Sequence, residues 1–359
     1  MGRLAEAVLG MAPRAEIYPL SLQPKRFPTD SPLSPMRLPA LLCTLSLAAF
    51  TGYAADAPKP ATPKAPAPKN VEPPVYMTVE TAGPDFPLQG EYAGDGLGAN
   101  IIALGDGNFR LVTFKGGLPG AGWDASAKTE VEAKRDGDVV RFKEVAELKG
   151  GVLTVGSTSL KRIERHSPTE GAKAPAGAVI LLDGSNADAW NGGHLDERKL
   201  LAAGTTSKQA FQSFTLHLEF LLPFKPLGRG QGRANSGVYV QNRYEVQVLD
   251  SFGLKGLDNE CGGVYQNSSP KVNMCFPPLQ WQTYDIEFTA AKFDANGKKT
   301  DNAILTVKHN GVVVQDKLSL KGATPGGGFK TEVPAPGPFQ LQGHGNPVYY
   351  RNVWIVEQK

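Results

Sequence analysis

The stretch NSGVYVQNRYEVQVLD, Asn235 to Asp250, carries Glu245, Gln247 and Asp250 where a strand would be expected to carry apolar residues. Alternation sends Glu245 and Gln247 to one face and Tyr244, Val246 and Val248 to the other. Asp250 would fall with the valines, so a bulge near Leu249 is expected to bring it back beside Glu245 and Gln247. Bulges re-aim side chains in this way next to active sites. Two carboxylates and an amide on one face could accept protons and bind hydroxyls. A lone charged strand residue would more often lie on a wetted sheet face, but other segments add polar groups in step. Asn235 and Ser236 precede a glycine on the preceding strand. FQLQGHGNPVYYRN spaces Gln340, Gln342 and His344 two apart and then supplies Arg351 and Asn352. Polar side chains alternating on several strands of one sheet make a concave hydrogen-bonding face that suits a hydroxyl-rich ligand. With Glu245 in reach, His344 is a candidate acid or base.

Other chemistries find little support. His194, His217 and His309 are not spaced as metal ligands, and no GxSxG, HExxH or phosphate-cradling glycine loop occurs. A metal held by distant His, Glu and Asp residues would leave no trace in spacing. The net charge of +3 comes from scattered residues, 38 Lys and Arg against 35 Asp and Glu. No aromatic-interleaved basic stripe marks a nucleic-acid surface.

The elements that must hold these residues read as all-β. A chain of 359 residues with 41 glycines and 29 prolines has room for two cores and too many turns for a helical bundle. FTLHLEFLL alternates Phe214, Leu216, Leu218 and Phe220 against Thr215, His217 and Glu219, and Asn310-Gly311 between β-branched runs signals a hairpin. Residues 178–359 are therefore expected to form an antiparallel two-sheet sandwich. Residues 75–165, with Asp106-Gly107 and Asp136-Gly137 turns, read as a small all-β accessory domain, and 166–177 as a linker. The Ala/Pro/Lys tract 55–74 reads as an extended tether.

Residues 1–54 read as a signal peptide region with the start at Met36. Arg37, the apolar run from Leu38 to Phe50 and Gly52-Tyr53-Ala54 supply its charge, core and cleavage site. The run is shorter than the roughly 20 residues of a membrane span, so the expectation is export, to periplasm or medium, with no span in the mature chain. In an oxidising compartment Cys261 and Cys275 are expected to pair as a disulfide. Its loop of about 15 residues would contribute roughly 3 kcal/mol.

Four stretches, ILLDGSNADAW, NSGVYVQNRYEVQVLDSFG, CGGVYQNSSPKVNMCFPPLQWQTYDIEF and LQGHGNPVYYRNVWI, resemble in order and spacing the 3-keto-disaccharide hydrolase family. The resemblance covers Gly177 to Lys359. It implies a concanavalin A-like jelly roll and action on small glycosides oxidised at carbon 3 of the sugar. The ketone acidifies the hydrogen on carbon 2 and places the leaving oxygen β to a carbonyl, so elimination followed by hydration becomes feasible. On that basis Glu245 is the base, and His344 or Arg351 supports the oxyanion or protonates the leaving group. Asn235, Gln247, Asp250 and Gln342 hold hydroxyls, and a divalent metal could take the electrophile's place. Glucanases of the same fold carry E-x-D-x-x-E, whereas this chain carries Glu245-x-Gln247-x-x-Asp250, which argues against ordinary retaining hydrolysis. A lectin-like module that binds carbohydrate without cleaving it is the alternative at this point.

Overall fold

The alternating runs form twenty-two strands in the computed structural model, which describes residues 73–358. All of these residues belong to one unit, Pro68–Lys359. The signal peptide region 1–54 and nearly all of the tether 55–74 lie outside the described residues.

The first eight strands are β1 (Gly90–Gly94), β2 (Leu97–Gly105), β3 (Asn108–Lys115) and β4 (Thr129–Asp136), then β5 (Val139–Phe142), β6 (Ala146–Lys149), β7 (Val152–Val155) and β8 (Thr158–Ile163). Each pairs antiparallel with the next, and Glu91 opposite Ile163 joins β1 to β8, closing a barrel. Closure leaves no free edge. The β2–β3 turn is the Asp106-Gly107 pair, both residues at positive φ as such a turn demands. Tyr92, Phe109, Phe142, Leu148 and Leu160 fill the interior.

The remaining strands make a two-sheet jelly-roll sandwich. β9 (Val179–Leu182), β10 (Trp190–Asn191), β11 (Leu201–Ala202), β12 (Thr205–Phe211) and β13 (Phe214–Leu221) precede β14 (Ser236–Val240) and β15 (Tyr244–Val248). β16 (Trp281–Thr289), β17 (Lys292–Phe293), β18 (Lys299–Asp301), β19 (Ala303–His309), β20 (Val312–Leu320), β21 (Gly337–Leu341) and β22 (Tyr349–Glu357) follow. One sheet runs β10-β12-β21-β14-β15. The other runs β11-β22-β13-β16-β19-β20 with β9 beside β22, and β17 and β18 pair apart. Phe214, Leu216, Leu218 and Phe220 of β13 face the shared core with Val238, Val246 and Ile286.

The other face of β13 departs from the simple alternation, because His217 and Glu219 are fully buried. The segment after β8 lies across them. Ser167 Oγ is 2.6 Å from Thr283 Oγ1, Thr169 Oγ1 donates to Asp285 at 2.7 Å, and the Gly171 N–H donates to Glu219 Oε1 at 2.6 Å. Beneath this strap His217 Nδ1 meets Asp285 at 2.6 Å, and Arg351 Nε donates to Glu219 Oε2 at 2.6 Å while stacking 3.7 Å over Trp281. The buried His217 and Glu219 therefore both have polar partners, as burial requires.

The barrel packs on the same unit at positions where side chains are missing. Cβ atoms added at Gly253 and Gly105 would collide with Ile102 and Leu227 respectively. Arg165 clasps Glu91 at 2.5 Å, and Tyr76 packs on Phe224. Among the described residues no helix is long and apolar enough to cross a membrane.

Cys261 and Cys275 depart from the expected disulfide, because both are free buried thiols. Hydrogen bonding closes their segment without a covalent link. The Cys261 N–H donates to Ser251 Oγ at 2.8 Å, the Cys275 N–H donates to Asn273 Oδ1 at 3.0 Å, and Cys261 Sγ lies 3.1 Å from the Tyr284 hydroxyl.

Burial alone would push the Glu219 carboxyl up, but hydrogen bonds from His217, Asn352, Arg351 and the Gly171 N–H outweigh it and hold the group at about 2. A depressed carboxyl contributes its full stability above the unfolded glutamate value, ~4.3, and loses it as pH falls through the folded value. Glu219→Gln is therefore expected to cost about 3 kcal/mol in urea unfolding at pH 6. The gap to wild type should narrow steadily from pH ~4 to ~2.

Candidate functional site

Strands β14 and β15 form a hairpin whose loop places Gln241 and Asn242 in the left-handed region, at φ 51° and 53°. Its register sets Gly237 opposite Gln247, Val238 opposite Val246 and Tyr239 opposite Glu245. The valines enter the core, so by strand alternation Gly237, Tyr239, Glu245 and Gln247 share the outer face. β21 lies along the other side of β14 with Gln340 opposite Tyr239, and the chain continues to Gln342, whose N–H donates to the Gly237 carbonyl at 2.8 Å.

A cleft of about 290 Å³ opens on this face. Asn235, Tyr239, Glu245, Gln247 and Gln342 make its floor, and Gln231, Tyr265, Pro325, Gly326 and His344 make its walls. Glu245 is only 4% exposed and has no cationic partner among the described residues. Oε2 accepts the Tyr239 hydroxyl at 2.6 Å, while Oε1 accepts no hydrogen bond from the described residues. Burial pushes the carboxyl up to about 7, with the Tyr239 hydrogen bond opposing the shift. Such a group can gain or lose a proton near neutrality, as a general base must.

Oε1 lies over Gly237, where an added Cβ would collide with it. Gly237 is thus the gap that lets Glu245 lean across the hairpin. Gln231, Asn235 and Gln247 join through their amides. Asn235 Nδ2 and Gln247 Nε2 each donate to Gln231 Oε1 at 2.9 Å, and Gln231 Nε2 donates to the Asn259 carbonyl at 2.8 Å. Gln247 Nε2 also reaches Asn235 Oδ1 at 3.3 Å, so both of its amide hydrogens have acceptors within the trio.

The structure brings together five residues singled out in the sequence: Glu245, His344, Asn235, Gln247 and Gln342. It leaves out two. Asp250 does not reach the cleft, because β15 ends at Val248 with its alternation unbroken and no bulge returns the carboxylate to the Glu245 face. Asp250 is instead fully buried in an ion pair with Arg233, Nε to Oδ2 2.6 Å. Arg351 belongs to β22 in the opposite sheet, where Glu219 and Glu170 hold it. Tyr239, Gln231 and Tyr265 were not found from sequence. Tyr239 was within reach, because the parity that pairs Asn235 with Glu245 also carries position 239 to the same face.

A divalent metal would need a set of donors. Among the described residues no group of three or more His, Cys, Asp and Glu side chains is arranged to hold a metal ion, and the cleft supplies only Glu245 and His344 of these types.

A jelly-roll sandwich with a buried carboxylate in a polar cleft on one sheet defines a carbohydrate-active protein of the concanavalin A-like kind. The sequence profile of the 3-keto-alpha-glucoside-1,2-lyase-like domain matches residues 177–356, and the chain belongs to that family. Three solved structures from Parabacteroides distasonis, each described as a candidate glycosyl hydrolase, are similar to part of it. The first shares 34% identity over 52% of this chain and 85% of that chain, with a TM-score of 0.47. The second shares 16% over 51% and 94%, at 0.38. The third shares 19% over 50% and 99%, at 0.36. No curated protein matches the chain.

Two substitutions separate the cleft from its support. Asp250→Ala strands the buried Arg233 charge and is expected to lower stability by about 3–5 kcal/mol in chemical denaturation. Gly237 has an ordinary extended backbone, so Gly237→Ala should remain folded by circular dichroism. Its displacement of Glu245 should weaken turnover on the order of 100-fold.

Proposed function

We propose that the cleft removes the proton from carbon 2 of a 3-keto-glycoside and expels the oxygen on carbon 1. The observation that carries this is Glu245, a buried carboxyl poised at about 7 by burial, with no cation to hold it ionised. Its Oε1 takes the carbon 2 proton, and the C–H electron pair forms the carbon 2–carbon 3 double bond of an enolate, with negative charge on the carbon 3 oxygen. Collapse of the enolate restores the ketone, forms a carbon 1–carbon 2 double bond and breaks the bond from carbon 1 to the leaving oxygen. That oxygen departs as an alkoxide and takes a proton. His344 and Tyr265 on the walls are the groups able to donate to the two oxygens. Addition of water to the unsaturated ketone completes a net hydrolysis.

The cleft itself speaks against double displacement. That route needs a second carboxyl about 5 to 5.5 Å from the first, and Glu245 is the cleft's one acidic side chain among the described residues. The amide chain Gln231–Asn235–Gln247 has no part in proton transfer and favours a second reading, a module that binds carbohydrate without cleaving it. The proposal includes export, which rests on the Met36–Ala54 segment alone.

The deciding experiment supplies a 3-keto-α-glucoside and its unoxidised parent in D2O, with and without chelator. Release of the aglycone from the keto sugar only, with deuterium entering at carbon 2, is the expected result. Equal cleavage of both sugars would overturn elimination, and binding without release would favour the lectin-like module. Glu245→Gln is expected to lose about 10²–10⁴-fold in kcat. Because the base must be ionised, kcat/KM should fall tenfold per pH unit below about 7.

A further inference from the structure

We propose that Tyr239 is the positioning residue for this base: its phenol clamps Oε2 of Glu245 and leaves Oε1, over Gly237, as the oxygen free to take a proton from a bound sugar. The proposal rests on the elimination reading and deepens it.

Tyr239 is fully buried and held from several sides. It stands directly opposite Glu245 in the hairpin register. Its oxygen lies 2.6 Å from Glu245 Oε2, 3.2 Å from the Pro325 carbonyl and 3.3 Å from Gln342 Nε2. A Cβ at Gly326 would sit 2.5 Å from the phenol oxygen, so a glycine at φ 87° keeps that space open.

A phenol has one hydrogen to give. The shorter and charge-assisted contact is to the carboxylate, and the Gln342 amide can only donate to the phenol oxygen. The chain Gln342 to Tyr239 to Glu245 therefore has one direction. Burial and the adjacent carboxylate both push the Tyr239 hydroxyl up, so it keeps its proton and stays a donor. When Oε1 is protonated, Oε2 can still accept the same bond, so the clamp survives each turnover without rearrangement. An arginine in this place would hold the carboxylate ionised and make it a poor base, whereas a neutral donor fixes its direction with a smaller effect on its basicity.

Two measurements on the full chain test this. The first follows the Glu245 carboxyl by carbon-13 NMR of glutamate-labelled protein across pH, without sugar, in wild type and Tyr239→Phe. The variant loses a hydrogen bond to the ionised form, so its midpoint should rise by about one unit. The second is the kcat/KM profile on a 3-keto-α-glucoside. Its acid limb should move to higher pH by the same amount, and plateau kcat should fall about 10- to 100-fold while KM changes little. Gln342→Leu, which weakens the phenol as a donor without removing it, should move the NMR midpoint less and in the same direction, and it stands in if Tyr239→Phe fails to fold. An unmoved midpoint together with a plateau kcat within about twofold of wild type would overturn the clamp. If wild type turns over no keto sugar, the elimination reading fails, while the sugar-free titration still decides whether Tyr239 holds Glu245.

Discussion

The cleft depends on one constraint: a carboxyl kept almost entirely from water with a single neutral hydrogen-bond partner. A buried carboxylate with a cation beside it becomes a structural ion pair, and the described residues build such cases away from the cleft, among them Arg233 with Asp250, Arg351 with Glu219 and Arg165 with Glu91. At Glu245 the cation is withheld and a phenol takes its place. The difference separates charges that hold the fold from a charge able to change its protonation state near neutrality. Gly237 and Gly326 serve that arrangement by leaving room where side chains would displace the pair.

Much of the architecture was legible because strands declare themselves by period. The strand in FTLHLEFLL, the Asn310-Gly311 hairpin and the Asp106-Gly107 turn all appear where the pattern puts them, although the second face of that strand is buried too. The floor of the cleft was legible in part for the same reason, since parity puts Glu245 and Gln247 on one face and the register of the hairpin and of β21 adds Asn235 and Gln342. Parity also argued that Asp250 belonged on the valine side, and the bulge invoked to rescue it does not exist. The partner that explains Asp250, Arg233, lies seventeen positions earlier and outside any local pattern.

Other features were hidden because they depend on sheet membership, which sequence spacing does not encode. Arg351 and His344 are seven residues apart and serve opposite sheets, the first beside Trp281 and the second at the mouth of the cleft. The cysteine pair misled for a related reason. Compartment and spacing argued for a bridge, but hydrogen bonds to Ser251, Asn273 and Tyr284 already hold that segment.

The strap at residues 167–172 falls within the 166–177 stretch whose composition reads as a linker, yet it supplies partners to Asp285, Glu219 and Arg351 on the back of the sandwich. The family resemblance begins at residue 177, beyond the strap. The border of shared ancestry and the border of physical self-sufficiency therefore fall at different places in this chain. A segment cut at the first would inherit the whole cleft but leave behind some of the groups that satisfy the charges behind it.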